Sequence, residues 1–246
     1  MKINKLIVCF LGLLIACSPR TEAEKIVDEA IEAHGGKLYE SARIDFDFRN
    51  IHYQIFKSPN RYEYSREFSD SIGLVRDVLN NEGFLRTVNG TPIDTLTDER
   101  IGAFSRSVNS VAYFAFLPYG LNDPAVIKNY LGETELKSEP YHLIKVTFQK
   151  DGGGDDFDDE FLYWIHKETY FVDYMAYSYH TDGGGIRFRE VSSAQTVGGI
   201  RFQNYLNYKP ENKDASVEEM QALYEQGKLE LLSEINLENI KVEMVK

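Results

Sequence analysis

The sequence predicts a mainly β protein of the α+β class, in which a curved antiparallel sheet or half-barrel is covered by a few helices. Short aromatic-rich runs alternate apolar and polar residues from residue 42 onward, as strands do. Helical spacing is confined to segments near the start, the middle and the end of the chain. Turn signals such as Asn89-Gly90 join neighbouring runs into hairpins. A large sheet must bury one face, and these helices are the elements available to cover it.

Residues 1–16 have the pattern of a secretory signal peptide: two lysines precede an uncharged apolar run over residues 6–16. The run is about half as long as the roughly 20 residues that a membrane-spanning helix needs. Leu14-Ile15-Ala16-Cys17 resembles the lipobox of bacterial lipoproteins. That resemblance implies that Cys17 is acylated and becomes the new N-terminus, with residues 17–22 as a lipidated tether. An ordinary signal peptide with a coincidental cysteine is the alternative.

Charge and cysteine content restrict what the remaining residues, 23–246, can do. The formal net charge of −12 disfavours nucleic acid as a partner. Cys9 and Cys17 are the two cysteines, so a chain cut before Cys17 has none left for a disulfide or a thiolate metal site. We therefore expect residues 23–246 to form a single half-barrel domain that depends on its hydrophobic core.

Helical spacing predicts four helices. Apolar residues recur every three or four positions over residues 23–34, and Gly35-Gly36 follows as a C-terminal cap. A longer helix is predicted over residues 95–116, with Thr95 and Asp98 as a capping box, and a short one over residues 122–131. Ser216 and Glu219 predict a last helix over residues 217–227. The apolar stretch 112–119 should either be buried under the sheet or line a pocket.

The strands are predicted on both sides of the middle helices. Before them, hairpins should turn at Pro59-Asn60, at residues 80–83 and at Asn89-Gly90. After them, strands are predicted over residues 141–148, 161–165, 170–179, 186–193 and 200–205. Residues 235–244 should form a closing strand with a bulge.

Three stretches resemble a family of uncharacterised Gram-negative lipoproteins. They are residues 117–126, residues 155–165 and the Gly183–Glu190 segment GGGIRFRE. The lipobox and the strand–helix–strand order also look like the lipoprotein-sorting carriers and acceptors, which have a curved sheet. The resemblance implies that fold and a place in the cell envelope, anchored by lipid in the outer membrane and facing the periplasm. It implies no activity, because one fold hosts many functions.

The acidic loop 151–160 is a candidate calcium site. Its carboxylates could supply the oxygen ligands that Ca²⁺ prefers. The spacing departs from the EF-hand pattern, and a solvated loop in an acidic protein is the alternative. The candidate ligands are Asp151, Asp155, Asp156, Asp158, Asp159 and Glu160. No other cofactor is predicted.

Two arginines and several aromatic residues are candidate ligand-binding residues. Alternation along a strand places Arg187 and Arg189 on one face, as in an anion clamp, with Glu190 on the other face. Pairing of the arginines with carboxylates is the alternative. His180 ends the preceding strand and could act as a base beside them. Aromatic residues could line a groove for an apolar ligand, although each could equally be ordinary core. These residues are Tyr113, Phe116, Tyr177 and Tyr179.

These observations leave three hypotheses for function. The preferred one is a non-catalytic lipoprotein that binds a hydrophobic or amphipathic small molecule or lipid. The second is an envelope enzyme that acts on an anionic substrate through Arg187, Arg189 and His180, although no hydrolase motif is found. The third is a scaffold that binds a protein, as yet unknown, along a sheet edge.

Overall fold

The computed structural model describes residues 19–151, 157–212 and 214–245, and the predicted signal peptide with Cys17 lies outside them. Three α-helices occur in this part of the chain: α1 (Glu22–His34), α2 (Asp98–Ala115) and α3 (Met220–Glu225). None of them is both long and apolar enough to cross a bilayer.

The first sheet has seven antiparallel strands in the order β14-β1-β2-β3-β4-β5-β6. Most neighbours in this sheet are consecutive hairpins, as the turn signals predict. The strands are β1 (Ala42–Phe48), β2 (Ile51–Ser58), β3 (Arg61–Asp70), β4 (Gly73–Asn80), β5 (Gly83–Val88), β6 (Thr91–Pro92) and β14 (Glu238–Met244).

The second sheet also has seven antiparallel strands, in the order β13-β12-β11-β10-β9-β8-β7. Its strands are β7 (Val126–Leu136), β8 (Glu139–Phe148), β9 (Glu160–His166), β10 (Val172–Tyr179), β11 (Gly185–Val197), β12 (Ile200–Pro210) and β13 (Leu229–Ile235). The predicted fold class is therefore confirmed, with the strands divided between two antiparallel sheets that do not close in the described part of the chain.

Helix α1 covers the inner face of the second sheet. Thr21 caps its start reciprocally with Glu24, and Val27 and Ala30 are fully buried against β8, β9 and β10. The helix ends at Gly35, as predicted. Gly35 has a φ of 134°, and a Cβ there would lie 3.1 Å from the carbonyl oxygen of Gly199. Only glycine lets the helix end approach the β11–β12 turn so closely.

The second sheet is buried on both faces. Residues 161–165 of β9 are all buried, which explains their continuous apolar run. On the outer face, Trp164 donates a hydrogen bond to Gln221 of α3 at 2.9 Å. The capping box of Ser216 and Glu219 is confirmed, and it starts a 3₁₀ turn, Val217–Glu219, that leads into α3.

The predicted helix over residues 122–131 is wrong. A 3₁₀ turn, Tyr119–Asn122, is followed by β7, whose burial alternates between half-buried and exposed residues. This period of two belongs to a strand, and β7 pairs with β8 along nearly its whole length. Pro124 and Gly132 were therefore misleading as helix boundaries.

Two other boundaries also differ from the prediction. Helix α2 begins after Thr97, whose Oγ1 accepts a hydrogen bond from Arg100 N at 3.4 Å, so Thr95 and Asp98 do not form its cap. The predicted closing strand over residues 235–244 is divided at Asn236-Leu237. There the chain leaves β13 in the second sheet and enters β14 in the first. A bulge and a change of sheet both interrupt the alternation of apolar and polar residues, so the sequence alone does not distinguish them.

His34, at the end of α1, gives the fold a pH dependence. The side chain is fully buried, its Nδ1 lies 2.8 Å from Ala30 O, and burial lowers its pKa from 6.5 to about 4. Between these two pKa values the unfolded chain binds a proton that the folded chain does not. Stability contributed by neutral His34 is therefore present above about pH 6.5 and is lost as the pH falls toward 4.

We expect the free energy of unfolding to fall by about 2 to 3 kcal/mol more in the wild type than in His34→Gln between pH 7 and pH 4.5. Urea titrations at the two pH values measure this difference. The variant carries the same carboxylates, so their titration cancels in the comparison. Equal pH dependence of the free energy of unfolding in the two proteins would show that His34 is not the source of this pH dependence.

Candidate functional site

A half-open cavity of about 940 Å³ is lined by residues of both sheets and of α2. Tyr53 and Tyr64 line it from the first sheet, and Phe161 and Tyr205 from the second. Helix α2 contributes residues 105–107, 109–111 and 113–115. The helix buries only Val108 and Ala112 fully, so most of its inward side chains are half-buried and face this space.

Aromatic rings form much of the wall. Phe161 stacks on Tyr177 with ring centroids 5.3 Å apart, and Phe114 of α2 lies 5.3 Å from the same tyrosine. The hydroxyls of Tyr113 and Tyr163 are 3.0 Å apart. Burial raises the pKa of Tyr113, Tyr163 and Tyr205 well above the ordinary value of 10, so these phenols remain neutral. The wall is apolar but carries hydroxyls that can orient a polar group.

Two arginines of β11 face this cavity. Arg189 Nη2 donates to the Tyr177 hydroxyl at 2.7 Å, and its guanidinium lies 3.9 Å from the centre of the Phe114 ring. Arg187 Nη2 donates to the Tyr179 hydroxyl at 2.7 Å. Among the residues whose side chains are described, which do not include Asp182, no carboxylate forms a salt bridge with either arginine. Their partners are phenols and rings, not the carboxylates of the alternative interpretation.

Helix α2 is held to the first sheet by a buried ion cluster. Asp77 of β4 is fully buried and accepts hydrogen bonds from Arg66 Nε at 2.8 Å and from Arg86 Nε at 2.6 Å. Arg66 Nη1 also donates to Ser107 Oγ of α2 at 2.6 Å. The Arg86 guanidinium lies 3.5 Å from the Phe104 ring of the same helix. Two cations share one carboxylate beneath the helix.

Six of the eight predicted ligand-binding residues line the cavity. They are Tyr113, Phe116, Tyr177, Tyr179, Arg187 and Arg189. Glu190 is not among the lining residues. It lies on the opposite face of β11, where it accepts hydrogen bonds from Tyr224 at 2.6 Å and Lys137 at 2.6 Å. Alternation along the strand makes this placement unavoidable.

His180 also does not line the cavity. Its exposed imidazole Nδ1 lies 3.8 Å from Asp158 Oδ2 and 3.7 Å from Asp159 Oδ1. Asp158 and Asp159 of the acidic loop could share a cation with His180, since the ligand atoms of the three side chains lie within 4.8 Å of one another. Asp151 and Glu160 are outside this group, and Asp155 and Asp156 lie outside the described residues.

The lining residues Phe114 and Arg66, and Asp77 beneath α2, were not predicted from the sequence. Phe114 lies beside the predicted Tyr113 and was noted only as part of an apolar stretch. Arg66 and Asp77 had no local signal at all, because each is an ordinary strand residue until the register pairs them directly. Alternation along β3 and β4 places both residues on the inner face of the sheet. That pattern of a buried acid and a buried base on neighbouring strands could have indicated a buried ion pair.

Two antiparallel sheets around an aromatic cavity, with α1 and α2 on the inner side, define the LolA-like fold class. The chain is similar to the solved structure of a LolA superfamily protein from Nitrosomonas europaea, with 10% identity and a TM-score of 0.50 over 92% of this chain and 94% of that chain. The chain belongs to a family of unknown function (DUF6503), whose sequence model matches residues 2–237. This confirms the resemblance inferred from residues 117–126, 155–165 and the Gly183–Glu190 segment.

Two further solved structures are similar at lower scores. A DUF1329 family protein from Desulfovibrio piger is 11% identical with a TM-score of 0.40, over 89% of this chain and 92% of that chain. A domain from Vibrio parahaemolyticus, described as an outer membrane lipoprotein-sorting protein, is 9% identical with a TM-score of 0.40, over 89% and 91%. Among curated proteins, no sequence matches the chain.

Asp77→Asn should strongly destabilise the protein, because it leaves two buried guanidinium groups without a counter-charge. We expect the free energy of unfolding to fall by about 3 to 5 kcal/mol. Glu67→Gln is the control on the same strand pair: Glu67 lies 3.9 Å from Arg76 in an exposed pair, and its loss should cost well under about 1 kcal/mol. Guanidinium denaturation measures both, and equal small effects would contradict the role of the cluster.

Proposed function

We propose that the chain is a non-catalytic lipoprotein of the cell envelope that binds or transports a hydrophobic or amphipathic molecule. The cavity of about 940 Å³ carries this proposal. Its volume is at the upper end of the range of about 300–1,000 Å³ that is usual for small-molecule sites. Its wall of aromatic rings with a few oriented hydroxyls is the chemistry that such a ligand requires. The LolA-like fold agrees with a binding role but identifies no ligand.

The enzymatic alternative has weaker support. It requires Arg187, Arg189 and a base to converge on one reacting atom. The arginines face the cavity, whereas the imidazole of His180 lies against Asp158 and Asp159 and is absent from the cavity wall. The buried phenols stay neutral because burial raises the pKa of Tyr113 and Tyr205, so they are poor bases. This arrangement favours ligand binding over catalysis.

We further propose that Cys17 carries the lipid that anchors the protein, on the periplasmic side of the outer membrane. The lipobox supports this part of the proposal. Several acyl chains on one residue hold a protein stably at a bilayer, at about 0.8 kcal/mol for each buried methylene. The acidic chain, with a net charge of −12, would gain little from contact with anionic headgroups. The lipid would then be the main attachment.

The lipid anchor can be tested directly in cells. Wild-type protein should incorporate radiolabelled palmitate and sediment with the membranes. Cys17→Ser should lose both the label and the membrane association. Cys9→Ser is the matched control, since Cys9 lies within the predicted signal peptide, and it should behave as the wild type. Unchanged labelling of Cys17→Ser would contradict the anchor.

Ligand binding can be tested by native mass spectrometry of the full-length chain carrying Cys17→Ser, purified without detergent and incubated with an envelope lipid extract. We expect a non-covalent adduct that denaturing conditions remove. Ala115→Trp places a large side chain into the cavity and should reduce the fraction of protein with an adduct. Ala103→Trp is the control, because Ala103 is on the same helix but does not line the cavity. A chain that carries no adduct under these conditions would refute the proposal.

A further inference from the structure

Arg189 is a buried cation with an unused hydrogen-bond donor inside the cavity. The residue is 7% exposed, and its Nε has no hydrogen-bond partner among the described residues. Its other contacts are the Tyr177 hydroxyl and the faces of aromatic rings. Burying a charge is costly unless an opposite charge or a full set of acceptors surrounds it. The described residues place neither an opposite charge nor a full set of acceptors around the Nε of Arg189.

A second unused polar atom lies directly across the sheet. Asn207 of β12 is the cross-strand partner of Arg189, and both residues line the cavity. Asn207 Nδ2 donates to Ser233 Oγ at 3.1 Å, whereas its buried Oδ1 has no partner among the described residues. An unused donor and an unused acceptor are therefore on paired residues of neighbouring strands. Buried polar groups are nearly always paired, so the unused Arg189 donor marks a place for an acceptor of another molecule, and the Asn207 acceptor for a water or hydroxyl beside it.

Basic residues outnumber acidic ones along the cavity wall, the reverse of the whole chain, although Arg66 shares the buried Asp77 with Arg86. The whole sequence has 39 acidic and 27 basic residues. Among the described lining residues, six are basic and two, Asp123 and Asp159, are acidic. Burial also raises the pKa of the Asp123 carboxyl. The basic residues are Arg49, Lys57, Arg66, Arg106, Arg187 and Arg189.

We infer that Arg189 forms the centre of a subsite for a single acidic headgroup, so that the ligand is an amphiphile with an apolar body and a carboxylate or phosphate head. This inference rests on the proposed binding function. The guanidinium Nε would donate to the head, and Arg187, on the same face two residues earlier, adds a second positive charge. The apolar body would lie along Phe114, Phe161 and Tyr177.

The test compares two probes with the same acyl chain, radiolabelled palmitate and the uncharged monopalmitoylglycerol, in equilibrium binding to the full-length chain carrying Cys17→Ser. We expect palmitate to bind more tightly by about tenfold to a hundredfold, the usual value of a hydrogen bond to a charged group. Arg189→Met should remove this preference, weakening the binding of palmitate far more than that of monopalmitoylglycerol. Arg189→Lys should restore part of it.

Arg201→Met is the matched control. Arg201 is also in the second sheet, its guanidinium lies 3.8 Å from the Phe171 ring, and its buried Nε also has no partner among the described residues. It does not line the cavity. This variant should keep the preference of the wild type for palmitate. Circular dichroism checks that both variants are folded.

The outcomes separate the two proposals. Equal binding of both probes to the wild type would overturn the headgroup subsite and leave the binding function in place. Failure of both probes to bind would count against the binding function itself. Competition of inorganic phosphate with palmitate at similar concentrations would assign Arg189 to a free anion and overturn the amphiphile. A loss of preference in Arg201→Met equal to that in Arg189→Met would also overturn the subsite.

Discussion

The contact of α1 with the inner face of the second sheet is the constraint on which the rest of the structure depends. Val27 and Ala30 are fully buried in the apolar cluster that also contains residues of β8, β9 and β10. Gly35 then lets the chain turn beside the β11–β12 hairpin and enter the first sheet. Because α1 fills only one half of the concave surface, α2 must cover the other half.

Helix α2 covers its half in a different way. It buries only Val108 and Ala112 fully, and the polar cluster of Arg66, Asp77 and Arg86 provides a further attachment beneath it. Polar attachment fixes the position of the helix without filling the space beneath it. Packing of native density under α2 would give a more stable protein but no cavity. The cavity is therefore a direct result of how this helix is held.

The sequence predicted what depends on local pattern and missed what depends on the register between strands. Alternation identified the strands, and Gly35 and Ser216 marked real helix ends. Strand β7 was missed because Pro124 and Gly132 imitate helix boundaries, and only pairing with β8 decides between the two periods. The alternation rule placed Arg187 and Arg189 together. It could not show that phenols and rings, instead of carboxylates, would surround them.

The contrast between an acidic chain and a basic cavity has a consequence for how a ligand would be selected. Coulomb interactions are much stronger in the low-dielectric interior than at the surface, where salt screens them within about 8–10 Å. A negatively charged exterior repels a bilayer rich in anionic headgroups, whereas a single acidic molecule that enters the half-open cavity meets the buried Arg189, where solvent screens the charge less than at the surface. The same headgroup is thus repelled as part of a surface and attracted as an individual molecule. This arrangement suits a protein that holds one amphiphile without adhering to the membrane through its folded surface.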